Sequence, residues 1–169
     1  MTKDKGQTSA IALGSNLGDS RAILEAAISI LAATPGITLL ARSNWYQTLA
    51  VGGPPQPDYI NGCALVQVTF SPLVLLDTLL AIEAQKGRIR TERWGARSLD
   101  LDLLLYDHLI FDTPTLTIPH PRMRERAFVL VPLAEIAPNW IDPVTGKAIA
   151  ELVKAVDCTG VRKLVIDNW

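Results

Sequence analysis

Cysteine is scarce in this chain of 169 residues, aromatic residues make up only 6% of it, the formal net charge is −1, and no apolar run approaches membrane-spanning length. Each shortage removes a class of protein. The two cysteines, Cys63 and Cys158, form neither a disulfide framework nor a metal-ligand spacing, and both are expected to be reduced and at least half-buried. The longest apolar runs, Phe128 to Leu133 and Leu101 to Tyr106 with Asp102 inside it, fall far short of the roughly 20 residues that cross a bilayer. The opening M-T-K-D-K-G-Q lacks an apolar stretch, so residues 1–7 are expected as a frayed tail rather than a signal peptide, with the cytoplasm as compartment. A charge near zero with few aromatics argues against wholesale binding to nucleic acid or membrane. There is no lysine-bearing P-loop, no G-x-G-x-x-G, no repeat and no low-complexity stretch, and residues 8–169 read as one domain.

What is present is unevenly distributed. Five cations (Lys86, Arg88, Arg90, Arg93, Arg97) stand against Glu92 alone, and Arg122, Arg124 and Arg126 form a second cluster around Glu125. Local basic clusters on a neutral chain suit a specific anionic ligand better than a polyanion track. The elements follow from period and punctuation. Thr8 to Leu13 reads as a strand leaving through G-S-N-L-G-D, and Arg21 to Ala33 as a helix capped by Asp19 or Ser20 and stopped at Pro35-Gly36. Ile37 to Tyr46 and Tyr59 to Phe70 are strand-like, separated by a glycine- and proline-rich loop. Ser71-Pro72 opens a second helix to about Gln85, and Leu99 to Tyr106 is a strand with a turn at Asp107-His108, from which Leu109 to Phe111 could pair back. A short helix around Met123 to Leu133, a Pro138 break, a turn at Asp142 to Gly146, a helix over Ala148 to Val156 and a strand over Val161 to Ile166 complete the chain. This mixture suggests an α+β sandwich on a mainly antiparallel sheet.

In S-L-D-L-D-L, leucines alternate with Asp100 and Asp102, so a strand puts both carboxylates on one face, where they could converge on Mg²⁺; a solvated strand face has the same pattern. Four arginines just ahead of them (Arg88, Arg90, Arg93, Arg97) supply planar donors suited to phosphate, on a segment too irregular for a helix face. Metal and guanidinium together are what a transferring phosphoryl group requires. Gly14 to Asp19 reads as a strand-to-helix turn or as a phosphate cradle. His120, between two prolines, suits a phosphate or ribose contact or an ordinary turn. Tyr59 and Asn61 alternate on one strand and suit stacking on and reading a heterocycle, or equally a core tyrosine and a strand-end asparagine.

Four spaced motifs together resemble the 6-hydroxymethyl-7,8-dihydropterin pyrophosphokinase family of folate biosynthesis: G-S-N-L-G-D at Gly14, Q-P-D-Y-I-N at Gln56, E-A-Q-K-G-R-I-R-T-E-R-W-G-A-R-S-L-D-L-D at Glu83, and P-H-P-R-M-R-E-R-A-F-V-L-V-P-L at Pro119. The resemblance covers roughly Ala10 to Pro138. It implies a ferredoxin-like α+β fold, that is, an α/β sandwich with a mainly antiparallel sheet, and transfer of the β,γ-diphosphate of ATP to the pterin hydroxymethyl group with release of AMP. By that similarity Asp100 and Asp102 would hold two Mg²⁺ ions, Arg88 and Arg97 would meet the phosphates during transfer, and Arg90, Arg93 and Trp94 would lie on a loop closing over ATP. Glu83, His120 and Arg126 would serve the nucleotide side. Thr48, Val51, Tyr59, Asn61 and Phe128 would form the pterin pocket, with Tyr59 and Phe128 sandwiching the ring. Leu49 and Ala96 replace prolines usual in the family and imply looser loops. The expected partners are these two small molecules, with no nucleic acid, no membrane and a monomeric chain; an RNA-binding sheet and an ordinary kinase are the competing readings.

Overall fold

Alternation of period two and period 3.6 along the chain builds two helical layers around one sheet. The computed structural model describes residues 6–16, 19–48, 59–86 and 99–164. Among them, strand β1 spans Gln7–Ser15, helix α1 Ser20–Ala33, β2 Ile37–Arg42, β3 Tyr46–Thr48, β4 Tyr59–Val68, and α2 Pro72–Lys86. There follow β5 (Asp100–Tyr106), β6 (Phe111–Asp112), β7 (Thr117–Ile118), a 3₁₀ turn (Met123–Glu125), α3 (Ala127–Ile136), α4 (Ile149–Lys154) and β8 (Val161–Lys163). The main sheet runs β5-β1-β4-β3-β8, with β2 also on β4, and its pairings are antiparallel.

Side-chain alternation decides which face each helix covers. Ile11 and Leu13 of β1, Val66 and Val68 of β4, and Leu101 and Leu103 of β5 point to the layer of α1 (Leu24, Ala27, Leu31) and α2 (Leu75, Leu79, Ile82). Ala10 and Ala12, Cys63, and Leu104 and Leu105 point to the opposite layer, where Met123, Val129, Leu130 and Leu133 pack with Ile149 and Leu152 of α4. The helix starts follow local chemistry. Asp19 accepts the Ala22 amide at 3.3 Å and caps α1, and the Ser71 hydroxyl accepts the Val74 amide at 3.3 Å ahead of Pro72.

Several expected boundaries shift. β1 continues through Gly14 and Ser15, because both pair with β4, so the glycine motif starts inside a strand rather than in a turn. The single strand expected over 37–46 is two: the ladder slips between Leu39 and Ala41, and Ser43 leaves it to exchange hydrogen bonds with Cys63 while the next residue but one, Trp45, buries its ring beside Gly62. The turn after Tyr106 forms, but Phe111 pairs with Ile118 in a separate two-stranded ribbon instead of returning to β5. The expected helix over 123–133 divides at Arg126 into the 3₁₀ turn and α3. Cys63 is buried and Cys158 half-buried, both free. No helix among the described residues is long and apolar enough to cross a membrane.

Candidate functional site

The registers of three central strands assemble one row. Asp100 of β5 pairs with Gly14 of β1, Gly14 with Asn61 of β4, and Asn61 with Tyr46 of β3. The next row inward holds Asp102, Ala12 and Cys63. Paired residues share a face, so both aspartates, Asn61 and Tyr59 all look toward the α3 layer, at the end of the sheet beyond the apolar contacts of Ala12 and Cys63. Thr48 pairs with Tyr59 and donates its hydroxyl to Asn61 Oδ1 at 3.4 Å. Phe128, in the first turn of α3, packs at the margin of the same layer, and the Arg126 guanidinium lies 5.6 Å from the centre of its ring.

Two devices hold the aspartate strand. Glu83 of α2 is buried, 6% exposed, and its Oε2 accepts the amide of Leu101, the residue between the two aspartates, at 2.7 Å. On the other side the β1 ladder slips at Ala10/Ile11, which leaves Leu104 as the extra residue of a bulge. The freed Leu104 carbonyl accepts the His120 amide at 2.9 Å, and this bond fixes His120 alongside β5. His120 Nδ1 accepts the Arg122 amide at 3.1 Å, which leaves Nε2 as the protonated nitrogen. Burial pushes the His120 imidazole below its ordinary range, with Arg126 and Arg122 adding to the effect and Asp102 opposing it. The ring is therefore neutral at neutral pH and offers an N–H donor.

Asp100 and Asp102 are both half-buried. Two hard carboxylates two residues apart on one strand face fit Mg²⁺, which takes one or two protein carboxylates and completes its shell with water and substrate phosphate. No cluster of three or more metal-ligating side chains occurs among the described residues.

The structure thus brings together Asp100, Asp102, Tyr59, Asn61, Thr48, Phe128, Arg126 and His120, with Glu83 beneath them. Arg88, Arg90, Arg93, Trp94, Arg97 and Val51 lie outside the described residues, as do Leu49 and Ala96. The second basic cluster is smaller than the sequence suggests. Arg124 donates through Nε and Nη2 to Asp142 at 2.5 and 3.0 Å, and that carboxylate is fully buried. Asp142, in a segment to which sequence reasoning gave no role, is the site support it missed; D-P-V-T-G signalled a turn but not its arginine.

The chain is similar to known proteins over most of its length. The family described as 7,8-dihydro-6-hydroxymethylpterin-pyrophosphokinase (HPPK) matches residues 10–138. A 2-amino-4-hydroxy-6-hydroxymethyldihydropteridine pyrophosphokinase of Synechocystis sp. is 54% identical over 151 residues, covering 89% of this chain and 77% of the relative. One of the same name from Pseudomonas aeruginosa is 42% identical over 154 residues, covering 91% and 94%. Among solved structures, an HPPK-DHPS in complex with substrates superposes with a TM-score of 0.73 at 12% identity, covering 96% of this chain. Plasmodium falciparum HPPK-DHPS gives 0.70 at 14% identity, covering 91% of this chain. At such identities these two establish the ferredoxin-like fold, and this chain spans 47% and 45% of their lengths.

Proposed function

Because the chain belongs to the 7,8-dihydro-6-hydroxymethylpterin-pyrophosphokinase family, its activity is pyrophosphoryl transfer from ATP in folate biosynthesis, and we propose how its residues divide that work. The pterin hydroxymethyl oxygen attacks the β-phosphorus of ATP in line. That O–P bond forms as the bond from the β-phosphorus to the oxygen bridging it to the α-phosphorus breaks. AMP leaves with the bridging oxygen, and the hydroxyl proton goes to solvent. Two Mg²⁺ ions held by Asp100 and Asp102 would neutralise charge on the triphosphate and polarise its phosphorus.

The protein's part is positioning and electrostatics. Glu83 and the β1 ladder keep both aspartates on one face of β5. Arg88 and Arg97 meet charge developing on the transferring group, and Arg90, Arg93 and Trp94 cover the nucleotide. His120, neutral and donating through Nε2, and Arg126 serve the nucleotide. Asn61 reads the edge of a pterin ring stacked between Tyr59 and Phe128, beside Thr48 and Val51. No side chain is needed as general base, since a loose transition state asks little proton abstraction of the enzyme. The protein acts as a single domain over 8–169, as a monomer in the cytoplasm.

The observation that carries this reading is the row Asp100–Gly14–Asn61, which sets a carboxylate for metal and an amide for a heterocycle edge two strands apart, roughly 10 Å at the usual strand spacing. The test is incubation with ATP, Mg²⁺ and 6-hydroxymethyl-7,8-dihydropterin and identification of the nucleotide product. AMP is expected; ADP would make it an ordinary kinase, and unchanged ATP would refute the reading. Asp102→Ala should lose at least a thousandfold in turnover with its circular dichroism unchanged, and an active variant would remove the aspartates from the mechanism.

A further inference from the structure

The central position of the row Asp100–Gly14–Asn61 has no side chain. Gly14 does not have a positive φ; the described glycines that do are Gly6, Gly36 and Gly146. It sits in β1 with partners on both sides, so its backbone conformation suits any residue. Its neighbours explain it instead. A Cβ on Gly14 would lie 2.7 Å from Asn61 Nδ2, inside any real carbon–nitrogen contact, and 3.8 Å from Asn61 Cγ. The Asn61 carboxamide therefore lies across β1 in the space a side chain would fill.

That amide is unusual in its own bonding. Asn61 is 9% exposed, and Thr48 holds its Oδ1. Its Nδ2 has no hydrogen-bond acceptor among the described residues. A buried donor left without an acceptor is costly, and native structures retain such groups where a ligand or water takes the bond. The adjacent Gly62 makes the contrast. A Cβ there would strike the Trp45 ring at 2.5 Å, on the opposite face and inside the apolar core, which makes Gly62 a packing glycine.

We propose that Gly14 is a specificity-determining positioning residue: its missing side chain lets the Asn61 NH₂ group lie over β1 aimed at an acceptor on the heterocycle edge, and keeps open the floor between that amide and Asp100 across which the ring's hydroxymethyl arm reaches the phosphate. The inference rests on Asn61 as reader of the pterin edge. Gly14 acts through the placement of Asn61, whose Nδ2 occupies the space its Cβ would take. Because the group a Cβ would meet is the end of a flexible side chain, Gly14→Ala can be absorbed by the fold while the amide cannot stay in place.

The experiment is a double-mutant cycle on the full chain, read by steady-state kinetics, Mg·ATP binding and thermal melts. Gly14→Ala is expected to raise KM for 6-hydroxymethyl-7,8-dihydropterin at least tenfold, change kcat less than threefold, and keep Kd for Mg·ATP within twofold. In an Asn61→Ala background the same change should add less than twofold. Equal effects on pterin and ATP, full additivity, or an unchanged pterin KM in Gly14→Ala would each overturn the proposal. If Asn61→Ala itself leaves the pterin KM unchanged, it is the edge-reading that fails, and the role of Gly14 falls with it. Should Gly14→Ala not fold, the double variant with Asn61→Ser, in which nothing reaches across β1, must fold; a double variant that also fails to fold overturns the proposal.

Discussion

Glu83 sits on α2 but acts on β5. Its carboxylate, turned inward, accepts the Leu101 amide at 2.7 Å and so fixes the peptide that separates Asp100 from Asp102. The spacing of Leu73, Leu76, Leu80 and Glu83 is enough to read the helix but not its buried face, which is Leu75, Leu79 and Ile82 with Leu73 and Leu80 exposed, nor the strand toward which Glu83 points. By resemblance Glu83 serves the nucleotide, and its burial supports service through the aspartate strand. Glu83→Ala leaves a buried amide without an acceptor, a cost of about 1–3 kcal/mol. For a domain of this size that lowers Tm by roughly 3–10 °C. It should also lower kcat/KM at least tenfold, while Glu83→Gln, which retains an accepting oxygen, should keep most of both. Melting curves and initial rates of the two variants check this, and full activity in Glu83→Ala would disconnect the residue from the site.

The segment from His120 to Phe128 is too short and irregular to hold itself. Its anchors lie at both ends. His120 hangs from the bulge carbonyl of Leu104, and Arg124 is clipped to Asp142, whose carboxylate also receives the Val144 amide at 3.0 Å and the Thr145 hydroxyl at 2.8 Å. Burial pushes the Asp142 carboxyl up, but Arg124, Val144 and Thr145 together hold it below the ordinary range. Asp142→Asn removes the charge that Arg124 pairs with, at a cost of about 2–4 kcal/mol for a pair buried on one side only. We expect urea unfolding to report that loss, and KM for ATP to rise more than KM for the pterin, because His120 and Arg126 flank Arg124 outside the helices whereas Phe128 is held within α3. An unchanged ratio of the two KM values would confine Asp142 to stability.

Across the whole molecule, one exposed clip ties the α1 layer to the sheet edge. Glu25 accepts from Nη1 and Nη2 of Arg42, at 2.8 and 2.7 Å, and from the Trp45 indole N–H at 2.7 Å. The hydrogen bonds from Arg42 lead in holding its carboxyl down at about 2; burial opposes them and Trp45 assists. A carboxyl lower in the folded than in the unfolded chain contributes stability above the unfolded value of 4.5, and loses it as pH falls toward 2. With both side chains a third to a half exposed, solvent screening limits the contribution to about 1 kcal/mol. Glu25→Gln should therefore melt roughly 2–4 °C lower at pH 7. The gap should narrow between pH 4.5 and 3, and a gap constant over that range would assign the loss to packing.

The alternation L-D-L-D-L was enough to put both aspartates on one face of a strand, since a period of two belongs to the extended chain itself. Helix spacing, the Asp19 and Ser71 caps and the Pro138 stop were legible for the same reason: each is set within a few residues. Four motifs taken together also pointed to the family. What neighbours what was decided elsewhere. That Gly14 stands between Asp100 and Asn61 depends on strand registers joining positions far apart in sequence, and a slip of one residue would send each side chain to the other layer. The bulge that presents Leu104 to His120, and the pairing of Asp142 with Arg124, arise from long-range packing with no local signature, although D-P-V-T-G does signal the turn that carries Asp142. Composition and period set the faces, and only the tertiary pairing of strands made one face a site.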